Sequence, residues 1–275
     1  MTDDTILKVE NLSLVFHDHD APETVVSDFN LNLKRGEIVG LVGESGSGKS
    51  LSAMSIAGLL PRHKLSVSGS SMYKGVNLLT APRRELRKFQ GENIAVIFQN
   101  PMTSLDPVMR VGRQVEEVLR LHHPEISKEE RKERAVKMLA SVGLHDPHKV
   151  YSSYPHELSG GMMQRVMIAA AMIGNPEILI ADEPTTALDV TVQAQIVKLL
   201  QEINAKEHTA IIFISHDLSL VRRIASRALV MQNGRVVEEG SCEDIFTSPS
   251  HEYTKKLIAA IPRVPHDIMK GGSHE

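Results

Sequence analysis

The chain has 275 residues, 41% hydrophobic and 24% charged, with a formal net charge of −3. That length suits one large domain or two small ones, and with no long basic run the composition gives no support for nucleic-acid binding. A single cysteine, Cys242, excludes an internal disulfide framework and suits a reducing compartment; no apolar run approaches the roughly 20 residues of a membrane helix.

The amino terminus, Met1-Thr2-Asp3-Asp4, lacks the apolar core of a signal peptide. Any membrane role is therefore expected to come through a partner. Residues 6–16 and 25–33 read as strands joined by a polar connector. In the second, Phe29, Leu31 and Leu33 alternate with polar residues, as in a half-buried antiparallel strand. The run Ile38-Val39-Gly40-Leu41-Val42 is instead continuously apolar, the pattern of a strand buried on both faces of a parallel sheet. Similar runs recur at 94–98, 178–181 and 210–214, separated by helical patterns, which predicts an α/β core. An all-helical insertion is expected over about 103–158. It includes a helix near 111–121 and a second one opened by a Ser127/Glu130 capping box and stopped at Gly143, with Val136, Leu139 and Val142 on one side. Glu116-Glu117 and residues 128–134 read as solvated helix faces. Asn233-Gly234 predicts a tight hairpin between 228–231 and 235–237. A last helix is expected over 251–260, stopped by Pro262, with residues 263–275 a short mobile tail.

Gly43-Glu44-Ser45-Gly46-Ser47-Gly48-Lys49-Ser50 fits G-x-x-x-x-G-K-[ST] between a buried strand and a helical stretch at 51–60, the context a phosphate loop requires. Its glycines let backbone N–H groups turn inward around phosphate oxygens, and the helix amino terminus adds partial positive charge. Lys49 is placed to bridge the β- and γ-phosphates and Ser50 to ligate Mg²⁺. The run Ile178-Leu179-Ile180-Ala181 ends in Asp182-Glu183, two carboxylates at the carboxyl end of a buried strand, where ligand sites of open α/β sheets lie. Asp182 is expected to hold Mg²⁺, and Glu183 to orient and deprotonate, or at least polarise, the attacking water.

The segment Leu158-Ser159-Gly160-Gly161-Met162-Met163-Gln164-Arg165 resembles the signature motif of the ATP-binding cassette (ABC) ATPases. The resemblance covers about residues 6–262 and implies a P-loop NTPase fold of that type: a mainly parallel core sheet, an antiparallel β-subdomain and the helical insertion. It implies that Gln99 is the glutamine that ligates Mg²⁺ and senses the transport partner, and that His216 contacts the γ-phosphate. Ala187-Leu188-Asp189 resembles the loop that crosses the dimer interface. Phe16 lies near where an aromatic residue stacks on adenine, with plain hairpin core as the other reading. Ser159, Gly160, Gly161 and Gln164 are implied to complete the ATP site of a second subunit. As structure alone, the signature is a helix amino terminus capped by Ser159, which is an anion site with no second phosphate loop in this chain to use it.

Residues 98–107, the Met162-Met163 pair and His251-Glu252-Tyr253-Thr254 resemble the D-type ATPase subunit of dipeptide, oligopeptide and nickel importers. That resemblance implies ATP and Mg²⁺ as cofactors, and as partners a paralogous F-type ATPase, two membrane permeases and an extracellular substrate-binding protein. It also implies a peripheral place on the cytoplasmic face of the plasma membrane. The alternatives are nickel or metallophore import and a non-transport ABC ATPase. Many D-type chains carry a cysteine-rich extension that binds an iron–sulfur cluster; the lone Cys242, upstream of residues 251–254, makes a cluster unexpected. His17-Asp18-His19-Asp20 and His122-His123 are read as solvated loops in preference to metal sites.

Overall fold

The computed structural model describes residues 4–17, 22–60, 65–186 and 188–261. Strand β1 (Thr5–Phe16) pairs antiparallel with β2 (Glu23–Lys34). Strand β3 (Ile38–Val42) is buried throughout and leads into helix α1 (Lys49–Ile56). The helix is shorter than the pattern at 51–60 suggests: it stops before Gly58, which sits at φ 67°.

Strands β4 (Leu65–Tyr73) and β5 (Val76–Asn77) complete a four-stranded sheet of order β2-β1-β4-β5. Neither is evident in the sequence. Four serines and a glycine in β4 hide the alternation, and only its ends, Leu65 and Tyr73, carry buried large side chains.

After α2 (Arg83–Leu86) comes β6 (Ile94–Ile97). The helical segment then runs through α3 (Pro101–Ser104), α4 (Val111–Val115), α5 (Glu117–His122), α6 (Lys128–Ser141) and α7 (Pro147–Ser152). The expected helix over 111–121 is broken at Glu116. That residue is not on a wet face: it is buried, and Tyr151 Oη donates to its carboxylate at 3.3 Å. In α6, Val136, Leu139 and Val142 are buried as the spacing predicts, and Gly143 ends the helix at φ 78°. Half of the expected capping box forms. Glu130 N–H donates to Ser127 Oγ at 3.1 Å, but the Glu130 carboxylate reaches forward to Arg134 at 2.6 Å.

Helix α8 (Gly160–Met172) leads to β7 (Ile178–Asp182), followed by α9 (Val190–Glu207), β8 (Ala210–Ser215) and α10 (Leu218–Ile224). The predicted hairpin forms as β9 (Arg227–Gln232) and β10 (Arg235–Ser241), with Asn233 and Gly234 at φ 49° and 76°. Helices α11 (Cys242–Thr247) and α12 (Glu252–Ala259) end the described chain; Pro262 and residues 263–275 lie outside it.

The second sheet has order β10-β9-β3-β8-β7-β6 and is parallel except for β10. Its strands alternate between two cores, as a period of two requires. Leu179, Ala181, Ile211 and Phe213 face a helical layer that includes α4, α6, α8 and α9. Ile178, Ile180, Ile212 and Ile214 face α1 and the antiparallel sheet. Both faces are covered, so each apolar run is continuous. The carboxyl ends of β3 and β7 lead straight into the phosphate loop and the acidic pair.

Candidate active site

The turn between β3 and α1 is built around glycines. Gly43 has φ 157°, and a Cβ there would sit 2.2 Å from the Met231 carbonyl oxygen. Gly48 caps α1 in the left-handed region, φ 98°, where a side chain would be strained. The loop therefore lies directly on the end of β9, and Ser47 N–H closes a turn on the Glu44 carbonyl at 3.2 Å.

Lys49 is 4% exposed and folds back into the loop. Its ammonium donates to the carbonyls of Gly43 at 2.8 Å and Glu44 at 2.7 Å, and to Ser47 Oγ at 3.4 Å. Burial pushes its pKa below the ordinary lysine range, opposed by the charges of Glu183, Asp182 and Glu44. Beside it, Ser50 Oγ donates to Asp182 Oδ1 at 2.8 Å. Burial raises the Asp182 pKa; the Ser50 bond and Lys49 oppose that shift, and the Glu183 charge adds to it.

Glu183 adopts φ 46°, a left-handed conformation that costs a non-glycine residue on the order of 1 kcal/mol. Its N–H still donates to the Ile214 carbonyl at 3.1 Å, so the strained residue stays tied to β8. Its Oε2 accepts from Gln99 Nε2 at 2.9 Å and Thr186 Oγ1 at 2.8 Å, and lies 3.3 Å from His216 Nδ1. Gln99, Glu183 and His216, read from three separate stretches of sequence, thus converge on one carboxylate. Thr186 was not singled out from the sequence. The only hint of its place is its position three residues after Glu183, which lets one turn return its hydroxyl; its N–H donates to the Glu183 carbonyl at 3.1 Å.

The loop is also braced by distant segments. Gly234 N–H donates to the Ser47 carbonyl at 3.0 Å, and Ser27 N–H to the Gly234 carbonyl at 2.8 Å. Glu44 N–H donates to Tyr253 Oη at 2.9 Å. In the sequence Tyr253 stands out only as part of residues 251–254, with nothing to link it to the loop. Phe16 is half-buried at the end of β1 against the antiparallel sheet's core, opposite Glu23.

The signature stands apart from this cluster. Ser159 caps α8, accepting from Met162 N–H at 3.4 Å. Ser159 and Gly160 are exposed and Gly161 is half-exposed, while Gln164 is buried at 1% with no hydrogen-bond partner for its Nε2. A Cβ on Gly161 would lie 3.1 Å from Val192, so the signature helix packs closely on the start of α9. Ala187 lies outside the described residues.

A cavity of about 500 Å³ opens at Phe98, the residue before Gln99, lined mainly by apolar side chains including Leu59, Phe98, Met109, Val118 and Met167. Phe98 and Met109 are themselves exposed. His122 Nε2 lies 3.1 Å from the Gln90 carbonyl, and His123 sits between Glu92 and Glu125. His17 bonds Ser66, and residues 18–20 lie outside the described chain. Among the described residues no helix is long and apolar enough to cross a membrane.

A glycine loop with a buried lysine, a serine–aspartate pair and a tethered glutamate at the strand ends define a P-loop nucleoside triphosphatase. Residues 26–186 match the family described as ABC transporter, and residues 237–272 match the oligopeptide/dipeptide transporter C-terminal region. The chain belongs to the ABC transporter ATP-binding family, and it binds and hydrolyses ATP. It is 49% identical over 261 residues to the oligopeptide transport ATP-binding protein OppD of Escherichia coli, covering 95% of this chain and 77% of that protein. It is 48% identical over 259 residues to the peptidoglycan transport ATP-binding protein YejF of Agrobacterium fabrum, covering 94% of this chain but only 47% of that longer protein. Among solved structures, the dimeric post-hydrolysis ATP-binding cassette MJ0796 bound to ADP and Pi aligns at a TM-score of 0.77 with 30% identity, covering 86% of this chain and 98% of that one.

Proposed function

We propose that this chain is the ATPase subunit of a peptide importer, acting at the cytoplasmic face of the plasma membrane. In that reading it works with a paralogous F-type ATPase, two permeases and an extracellular binding protein. The observation that carries the ATPase role is the single carboxylate of Glu183, tethered by Gln99, Thr186 and His216 next to the Ser50–Asp182 pair. The peptide reading is supported by the match at residues 237–272 and by relatives named for peptide transport. Residues 1–262 are assigned to the cassette, with the helical part at about 103–158.

The residues present suit Mg²⁺. Ser50 Oγ and Asp182 Oδ1 already lie 2.8 Å apart, and Gln99, which donates to Glu183 through Nε2, keeps its amide oxygen as a further acceptor. All three are hard oxygen donors of the kind that ion prefers. Bound there, the ion neutralises charge on the phosphates. Lys49, once triphosphate replaces its carbonyl partners, holds the β- and γ-phosphates. The loop wraps around them, with the N–H groups of Gly43, Ser45, Gly46, Ser47 and Gly48 donating and Glu44 N–H left on Tyr253 Oη, and Phe16 stacks on the adenine.

Glu183 orients the attacking water and takes its proton, while His216 holds the γ-phosphate. Ser159, Gly160, Gly161 and Gln164 serve the ATP of the partner subunit. The apolar cavity at Phe98, the residue before Gln99, takes a cytoplasmic segment of a permease, so that the glutamine reports the permease's position to Glu183.

In cells carrying Glu183→Gln, the chain should still bind ATP, but hydrolysis should fall at least about 100-fold and uptake of labelled oligopeptide should stop. Near-normal hydrolysis would overturn the role of Glu183. Loss of nickel uptake with peptide uptake unchanged would favour the metal-importer alternative.

A further inference from the structure

The phosphate loop and the chain's last described helix are tied by one hydrogen bond, from Glu44 N–H to Tyr253 Oη, across 209 positions of sequence. Glu44 follows Gly43 at the mouth of the loop, where the backbone leaves β3. The tyrosine that meets it is 6% exposed, so its ring has little freedom. The turn before it is held as well. Glu238 on β10 accepts from Ser250 N–H at 2.7 Å, Ser250 Oγ at 2.9 Å and His251 N–H at 3.1 Å. Tyr253 N–H then donates to His251 Nδ1 at 3.2 Å. A chain of hydrogen bonds therefore runs from a strand of the main sheet, through the start of α12, to the Glu44 N–H of the phosphate loop.

We propose that Tyr253 is a positioning residue for the nucleotide site. Its hydroxyl fixes the opening of the phosphate loop in the geometry that receives the triphosphate, and Glu238 sets where that hydroxyl lies. The physical need is clear from composition: the loop's three glycines leave it many conformations, and ordering them costs affinity when the ligand must do it alone. A bond at the loop's entrance removes part of that cost beforehand. The effect belongs to binding, because Lys49, Ser50 and Glu183, which meet the reacting end of the nucleotide, are held by other contacts.

This inference rests on the phosphate-loop reading, and the test separates the two. ATP affinity of the full-length chain is measured by titration with a fluorescent ATP analogue, KM and kcat on the assembled transporter, and thermal unfolding without nucleotide. Tyr253→Phe keeps the buried ring and removes only the hydroxyl. It should raise both the dissociation constant and KM about three- to tenfold, the worth of one hydrogen bond, and leave kcat within about twofold. Glu238→Gln should shift affinity the same way, and the double variant should bind no more weakly than the weaker single one. Leu257→Ala, elsewhere on α12 and packed against the core, supplies the control for simple destabilisation. Unchanged affinity in Tyr253→Phe would overturn the proposal. So would a loss that merely tracks melting temperature as in Leu257→Ala, or fully additive losses in the double variant. Lys49→Ala must abolish ATP binding. If it does not, the phosphate-loop reading fails; if it does while Tyr253→Phe binds normally, only the positioning role fails.

Discussion

Glu183 and Glu238 show how one residue type takes two roles. Glu183 sits in a strained backbone conformation with three polar neighbours on one oxygen, an arrangement that fits the base proposed for it. Glu238 is a structural clasp. Burial alone would raise its pKa, but donors of the 250–254 turn outweigh that and hold it at about 2, against an ordinary value of 4.5. Because the folded-state value lies below the unfolded one, the stabilisation is complete above about pH 4.5 and fades as pH falls toward 2. Glu238→Gln should therefore cost about 1 kcal/mol at pH 7, a figure already reduced for solvent screening. Urea unfolding should show the gap from wild type narrowing below pH 4.5. A gap that widened in acid would contradict the clasp. Sequence alone ranked neither glutamate by environment: Glu183 was placed by its neighbours in the motif, and Glu238 looked like any strand glutamate.

At the level of elements, local patterns predicted what local forces decide. The fully buried strands, the Asn233-Gly234 hairpin and the stop of α6 at Gly143 all follow from composition and turn chemistry. Strand β4 escaped because its serines carry no apolar alternation, with Ser66 and Ser68 exposed, and backbone pairing with β1 and β5 rather than side-chain pattern makes the strand. The helices around residue 112 are another tertiary decision. A Cβ on Gly112 of α4 would lie 2.1 Å from the Tyr151 ring of α7. Alanine there gains up to about 1 kcal/mol of helix propensity, but displacing a packed ring costs about 1–3 kcal/mol. Overpacking should win: Gly112→Ala is expected to lower the melting temperature by a few degrees, measured by thermal unfolding, and a stabilised variant would show that the ring moves freely.

Across the whole molecule, the phosphate loop, acidic pair, Gln99 and His216 gather at the strand ends, while Ser159 and Gly160 face solvent with no bond to Lys49 or Ser50. The separation suits a site completed by a second subunit. Ser159→Asp tests it, since aspartate caps a helix as well as serine does and the fold is kept. The added charge would face the partner's triphosphate. ATP affinity of the isolated chain should stay within about twofold, while ATPase activity of the assembled transporter should drop about tenfold or more. Full activity in the assembly would sink the shared-site reading. Gln164 is the exception within the signature: buried at 1%, it reaches a partner's nucleotide only if α8 and its neighbours shift on closure.

The sequence by itself determined the nucleotide chemistry and the family, because these rest on contiguous motifs in which glycine, lysine and carboxylates must stand at fixed spacing. It determined the core strands too, since burial on both faces leaves a continuous apolar run. Tertiary structure alone decided which side chains meet: Thr186 on Glu183, Tyr151 over Gly112, and Tyr253 on Glu44 across 209 positions. Those contacts depend on how sheets and helices are stacked, and a hydroxyl that finds a backbone N–H so far along the chain leaves no periodic trace in the sequence.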